Sequence, residues 1–315
     1  MPRRLRILTW HVHGNYLYYL SQVPHDFYLV ADPAGPPGRV GRVGALPWGD
    51  NVHDAPVSEL KSMHFDAVLY QSRTAWNIDR HRLLSAAQRR LPTVYLEHDP
   101  PQEHPTNTRH WVDDRNVLLV HVTPFNALMW DSGPTPSTIV EHGVKLLAPA
   151  TATYELPRGI VVVNNIRRRG RRLGADVFDM MSGRVPLDLV GMGSGDAGGL
   201  GEVANADLPS FVARYRFFFN PIRYTSLGLS IIEAMMVGLP IVGLATTELV
   251  TVIRNGENGF VDTRLGSLAA AMQALLDSPQ EAARMGVNAR RDAQERFGIE
   301  RFVRDWMEVF ARVAA

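Results

Sequence analysis

Residues 216–244 read RFFFNPIRYTSLGLSIIEAMMVGLPIVGL, and their order decides the fold class. An apolar run ending at Asn220 predicts a buried strand. A loop then leads through Gly228 into an apolar helix. Gly238-Leu239-Pro240 stops that helix, and Pro240–Leu244 predicts the next strand. Strand, helix and strand in this spacing form a parallel βαβ unit. The loop before the helix then lies at the carboxyl end of the sheet, where open α/β sheets bind ligands. The helix start offers backbone N–H groups to an anion, and Glu233, expected in the first turn, can hold hydroxyls. Ser230 and Glu233 also have capping-box spacing, which gives the same residues a purely structural reading.

The same alternation runs through the rest of the chain. Predicted strands in the first half are Leu5–Trp10, Phe27–Val30, Ala67–Gln71, Thr93–Glu97, Val117–Val122 and Thr138–Val140. Those in the second half are Gly159–Val163, Leu187–Val190, Arg216–Asn220, Pro240–Leu244 and Gly259–Val261. Several are continuously apolar, as strands covered on both faces must be. Between them lie helical patterns such as HRLLSAAQRR and LGSLAAAMQALLD. Asp32–Pro47 is Pro/Gly-rich and reads as a long loop. This pattern predicts an α/β protein of two doubly wound, Rossmann-like domains. The Pro/Ala/Thr-rich stretch near 148–157 sets the expected boundaries at 1–150 and 151–298. A final helix, 299–315, carries Phe302, Trp306, Val309 and Phe310 at helical spacing and is expected to pack back on the first domain.

Composition narrows the chemistry. The 315 residues include no cysteine, which removes disulfides, thiolate nucleophiles and Cys-based metal sites. A formal charge of +1 gives no reason to expect nucleic acid or an anionic membrane as partner. No apolar run approaches the roughly 20 residues of a spanning helix, and the N-terminal LRILTW is too short for a signal-peptide core. A cytoplasmic protein, at most peripherally membrane-associated, is expected.

Four further clusters sit where predicted strands end. VVVNNIRRRGRRLG, 161–174, places five arginines within six residues after a strand. It is either a solvated basic loop or a phosphate clamp. His11, His13 and Gly14 follow the first strand; Gly14 allows close approach of a phosphate, although a tight βα turn explains it equally. His98 with Asp99, and more weakly Glu103 and His104, follow PTVYLE, where His98 can act as acid, base or hydroxyl partner. Gly191-Met192-Gly193 follows a strand but does not complete a dinucleotide fingerprint, and no Walker A run exists.

Taken in order, these pieces resemble the GT-B retaining glycosyltransferases of family 4, the glycosyl transferases group 1. IVVVNNIRRRG, LDLVGMGS, FFFNPIRYTSLGLSIIEAMMVGLPIVG and TELVTVIRNGENGFVDT carry the likeness in the second half. In the first half TIVEHGV and the layout carry it. The resemblance implies two Rossmann-like domains facing a central cleft. It implies a nucleotide diphosphate sugar as donor substrate, no cofactor, and no metal. It assigns Glu233 to the ribose hydroxyls, and Gly228, Leu229 and Ser230 to the diphosphate and donor sugar. Arg169 matches a basic residue on the diphosphate. Asn165 stands where an arginine is common, so Arg167 is expected to supply that charge. Gly14 matches a diphosphate-facing glycine, and His98 a histidine near the donor sugar. One departure matters: Thr225 stands where the family has a second acid, with seven residues between it and Glu233.

The expected function is therefore transfer of a sugar, with retention, to a glycan, lipid-linked or small-molecule acceptor. Thr225 also motivates a non-catalytic sugar-nucleotide or glycan binder. A sugar-nucleotide epimerase using His13, His98 and Asp99 is a further alternative, and an Arg-rich RNA binder needs a broader basic surface than one loop.

Overall fold

The computed structural model describes residues 3–314. The chain divides into two compact units, one formed by 1–143 with 299–315 and the other by 144–298. The first unit holds a seven-stranded sheet in the order β3-β2-β1-β4-β5-β6-β7. Its strands are β1 (Arg6–Thr9), β2 (Asp26–Ala31), β3 (Val52–Pro56), β4 (Ala67–Tyr70), β5 (Thr93–Glu97), β6 (Val117–His121) and β7 (Ser137–Ile139). The second unit holds β8 (Leu156–Val162), β9 (Leu187–Val190), β10 (Tyr215–Asn220), β11 (Ile241–Leu244) and β12 (Gly259–Asp262), ordered β12-β11-β10-β8-β9. Every strand pairing is parallel. The apolar runs explain this: all of β4, β5 and β6 is buried, so both sheet faces are covered.

Each order reverses once, between β1 and β4 in the first sheet and between β8 and β10 in the second. These are the topological switch points, where diverging loops open a crevice at the carboxyl ends of the strands. In the second unit Gly159 lets β10 pack closely, because a Cβ there would lie 2.2 Å from the Phe217 ring. The helix Ile299–Ala314 buries Phe302, Trp306, Val309 and Phe310 in the first unit. The Phe310 ring meets His25 and Phe27, and the Trp306 indole N–H donates to the Tyr16 hydroxyl at 3.2 Å.

Three sequence expectations change. Val52–Pro56 is a strand that the apolar pattern does not reveal, because VHDAP alternates with polar groups. HRLLSAAQRR does not form one helix. Its first residues close the short helix Arg80–Leu83, and Gln88–Arg90 forms a separate turn. The helix after β10 starts at Leu229 with Gly228 as its cap, so Ser230 lies inside it and the capping box does not form. Glu233 then opens the second turn, one turn later than expected. No helix among the described residues is long and apolar enough to cross a membrane.

Candidate functional site

In the second unit, two strand ends are sewn together beside the switch point. After β8 the chain turns at Asn165, whose φ of 53° is left-handed, a region Asn tolerates better than most residues. The Asn165 N–H donates to the Met192 carbonyl at 2.6 Å, and the Met192 N–H donates to Asn164 Oδ1 at 2.9 Å. Gly191 makes this apposition possible: its φ is 132°, and a Cβ would lie 2.8 Å from both the Val163 carbonyl and Asn164 Oδ1.

Two arginines of the basic loop that follows are bound to acids on the next helix, Ala175–Ser182. Arg167 forms a two-pronged pair with Asp179, at 2.5 and 2.8 Å. Arg171 and Arg223 share Asp176. Arg223 holds the Asp176 carboxyl below its usual range, with Arg171 adding to the effect. Arg169 is exposed at the end of the turn Ile166–Arg169. The structure thus places Arg167 in an intramolecular pair, while Arg169 stays on the accessible edge.

The loop after β10 is fastened from two sides. The N–H groups of Arg223 and Tyr224 donate to the Arg172 carbonyl at 3.0 and 3.3 Å, and the Arg223 guanidinium reaches Asp176 at 2.6 and 2.8 Å. From the other side, Thr246 Oγ1 donates to the Ile222 carbonyl at 3.1 Å. Thr247 sits at φ 52°, a genuine strain for a β-branched residue, with its hydroxyl 3.5 Å from the Ser226 carbonyl. Thr225 is half-buried in this held loop. Gly228 is extended at φ −68° and ψ 133°, so the Leu229 and Ser230 N–H groups open the helix Leu229–Val237, where no carbonyl lies a turn earlier to accept them. Glu233 is half-buried between the buried Ile232 and Ala234. Loop, helix start and carboxylate together present on the second unit N–H donors of the kind that suit an anion and a carboxylate of the kind that suits hydroxyls.

The first unit gathers polar groups at its own switch point. Gln71, at the end of β4, donates from its amide nitrogen to Thr9 Oγ1 at 2.9 Å and the Trp10 carbonyl at 3.1 Å. Its oxygen therefore faces His98 Nε2, 3.1 Å away, and must accept a hydrogen bond from the Nε2–H. The neutral His98 ring is left with Nδ1 as an acceptor. Burial, with His13 and His142 nearby, holds its pKa well below the usual histidine range. His13 lies 4.2 Å from the His98 ring centre, and Tyr16 meets the same ring edge-on at 4.8 Å. His11 turns away: its Nδ1 is 2.8 Å from the Gly41 carbonyl, so it holds the long loop. Gly14 begins the helix Gly14–Leu20 with ordinary backbone geometry. Tyr16, Tyr18 and Tyr19 are buried in packing. Glu103 is exposed and pairs with Arg73, and His104 is exposed.

Sequence reasoning missed Gln71, the Asp176–Arg223 clamp and Thr247. Gln71 had one readable signal, a polar residue closing the apolar run AVLYQ. The clamp joins residues 47 apart and had none.

Comparison with known proteins agrees with this fold. Residues 192–278 match the family model for glycosyl transferases group 1. No curated protein matches the chain. Among solved structures the chain is similar to a sucrose-phosphate synthase from Thermosynechococcus elongatus, at 17% identity and a TM-score of 0.69, over 98% of this chain and 99% of that one. It is similar to HepE of Anabaena in complex with UDP-glucose, at 15% identity and a TM-score of 0.70, over 98% and 100%. A glycosyltransferase from Rickettsia africae matches at 12% identity and a TM-score of 0.65, over 99% of each chain. The chain therefore has the GT-B fold, two α/β units each built on a parallel sheet, and its second unit carries a group 1 glycosyltransferase segment.

Proposed function

We propose that this protein is a retaining glycosyltransferase that uses a nucleoside diphosphate sugar. The observation that carries this reading is the loop 221–228, held from both sides and delivering the Leu229 and Ser230 N–H groups beside Glu233 within the matched segment. In the reaction, the bond from the sugar's anomeric carbon to the diphosphate oxygen breaks. A bond to the acceptor oxygen forms on the same face, and the acceptor's proton passes to the leaving phosphate. Negative charge grows on the diphosphate. The helix-start N–H groups and Arg169 would stabilise it without a metal, and preorganised donors of this kind contribute on the order of a few kcal/mol each. Glu233 would accept the ribose hydroxyls, and Thr225 would accept or donate at the donor sugar. Gly14 would face the diphosphate. His98, carrying its proton on Nε2, would offer Nδ1 to a substrate hydroxyl. The HepE structure holds UDP-glucose, which supports a uridine nucleotide as the first donor to try.

Calorimetry with UDP, GDP and ADP tests the reading. At least one should bind in the micromolar-to-millimolar range of substrates. Glu233→Ala should weaken it by about 1–3 kcal/mol, the worth of hydrogen bonds to a charged group. Binding of none of the three refutes the proposal. Thr225 favours a second reading, a non-catalytic sugar-nucleotide binder, because a hydroxyl stands where the family carries an acid. Release of free UDP from UDP-glucose or UDP-N-acetylglucosamine by the purified protein would dismiss that reading.

A further inference from the structure

The end of β5 points its functional groups in two directions. His98 faces His13, Tyr16 and Gln71. Glu97 and Asp99, one residue either side, line a separate cavity of about 420 Å³ inside the first unit. That size suits one or two sugar rings rather than a whole nucleotide sugar.

The walls of this cavity are built and rigid. Trp111 and Trp130 line it, with ring centres 5.2 Å apart and planes 84° apart. The Trp130 indole N–H donates to the Asp99 carbonyl at 2.8 Å. Glu97 is nearly fully buried, and each of its oxygens is held. Oε1 accepts from the Asp99 N–H at 3.0 Å, and Oε2 lies 3.0 Å from His110 Nε2. His110 Nδ1 accepts from the Val112 N–H, so its proton is on Nε2 and points at Glu97. Tryptophan faces cover the apolar C–H surface of a ring, while carboxyl groups accept its hydroxyls.

Charge decides which ring. The arginines on the cavity wall are already neutralised: Arg73 pairs with Glu103 at 3.0 Å, and Arg109 pairs with Asp113 at 3.0 Å. No surplus cation is left to select a phosphate or a uronate. The Asp99 carboxyl on the same wall disfavours anions further, while the buried Glu97 carboxyl, whose proton is held up to about pH 8, offers hydrogen bonds rather than charge. We propose that the Glu97–Asp99–Trp111–Trp130 cavity binds an uncharged pyranose unit of a glycan. That this glycan is the acceptor rests on the transferase reading; the binding itself does not.

Saturation-transfer NMR on the full chain tests this without nucleotide. The probes are the methyl α- and β-pyranosides of glucose, galactose and mannose, with maltose and cellobiose, at roughly millimolar concentrations. At least one should receive saturation. Trp111→Ala and Asp99→Asn should each lower its affinity at least about tenfold, the scale of a central aromatic or polar anchor. UDP affinity should be unchanged in both variants, and Glu233→Ala should leave sugar binding intact. Asp99→Asn keeps side-chain size, so the test survives if Trp111→Ala fails to fold. Saturation of none of the probes, or equal affinity in wild type and Asp99→Asn, overturns the proposal. Sugar binding without binding of any nucleotide would sink the transferase reading and leave this site standing.

Discussion

Replacing Gly174 with alanine asks whether the loop 221–228 is held by backbone contact rather than by ion pairs alone. Gly174 follows the basic loop at φ 79°. A Cβ there would lie 2.0 Å from the Pro221 carbonyl oxygen and 2.6 Å from its carbon, both backbone atoms that cannot swing aside. The left-handed conformation costs a non-glycine residue about 1–2 kcal/mol. Forcing the overlap apart costs about 1–3 kcal/mol more. A loss near 3 kcal/mol lowers Tm by roughly 6–12 °C for a unit of this size. Gly256→Ala is the control. It shares a positive φ, 78°, but its Cβ meets nothing within 4 Å, so only the conformational part applies. Thermal unfolding of both variants separates the two costs, and UDP calorimetry at a temperature where both remain folded gives the functional effect. Because Pro221 begins the loop leading to Thr225 and Gly228, Gly174→Ala should lose nucleotide affinity while Gly256→Ala keeps it. Equal Tm shifts in the two variants, with unchanged UDP affinity, would refute the argument that this contact positions the loop.

Arg223→Ala removes the clamp to Asp176; the guanidinium is 30% exposed, so the stability loss is held to about 1–2 kcal/mol, with a measurable fall in UDP affinity by calorimetry. Tyr16→Phe leaves the buried Trp306 N–H without its acceptor and should cost about 1–3 kcal/mol in a urea melt. Burial pushes Glu97 up to about 8 from an ordinary 4.5. The folded state holds this proton more tightly, so the stabilisation is complete below pH 4.5 and is lost as pH rises through 8. Glu97→Gln should flatten that part of the urea-midpoint profile, and parallel profiles would contradict the assignment. His110 acts in the opposite sense: burial lowers it to about 3, so its contribution is lost as pH falls from 6.5 toward 3.

The sequence was most readable where burial is two-sided. β5 and β6 are buried throughout, and their mainly apolar runs, closed by Glu97 and His121, admit few other readings. It was least readable where a partner far along the chain overrides local preference. HRLLSAAQRR has helical spacing, yet Asp79 is drawn to the Trp10 indole N–H at 2.9 Å, and Ser85 and Gln88 exchange hydrogen bonds that start a new turn. The Ser230–Glu233 spacing matched a cap, but the extended backbone at Gly228 places the helix start two residues earlier. At the candidate site, the placement of Gly228 ahead of a helix that carries Glu233 was legible from local order. The pairing of Arg167 was not, because its partner Asp179 lies on the following helix. Gln71 and the tautomer it imposes on His98 required three strand ends to be seen side by side.

The helix Ile299–Ala314 also sets an order of events during synthesis. Residues 144–298 form a contiguous unit and can fold once they have left the ribosome. The first unit cannot be completed from its own N-terminal stretch. Its Tyr16 hydroxyl waits for a tryptophan 290 residues later, and Phe302 fills the space over Gly143. Through most of translation the apolar surface meant for Phe302, Trp306 and Phe310 stands open, although the first unit's strands are made first. The unit synthesised first is thus finished last, and its exposed interval is when a chaperone would have most to cover.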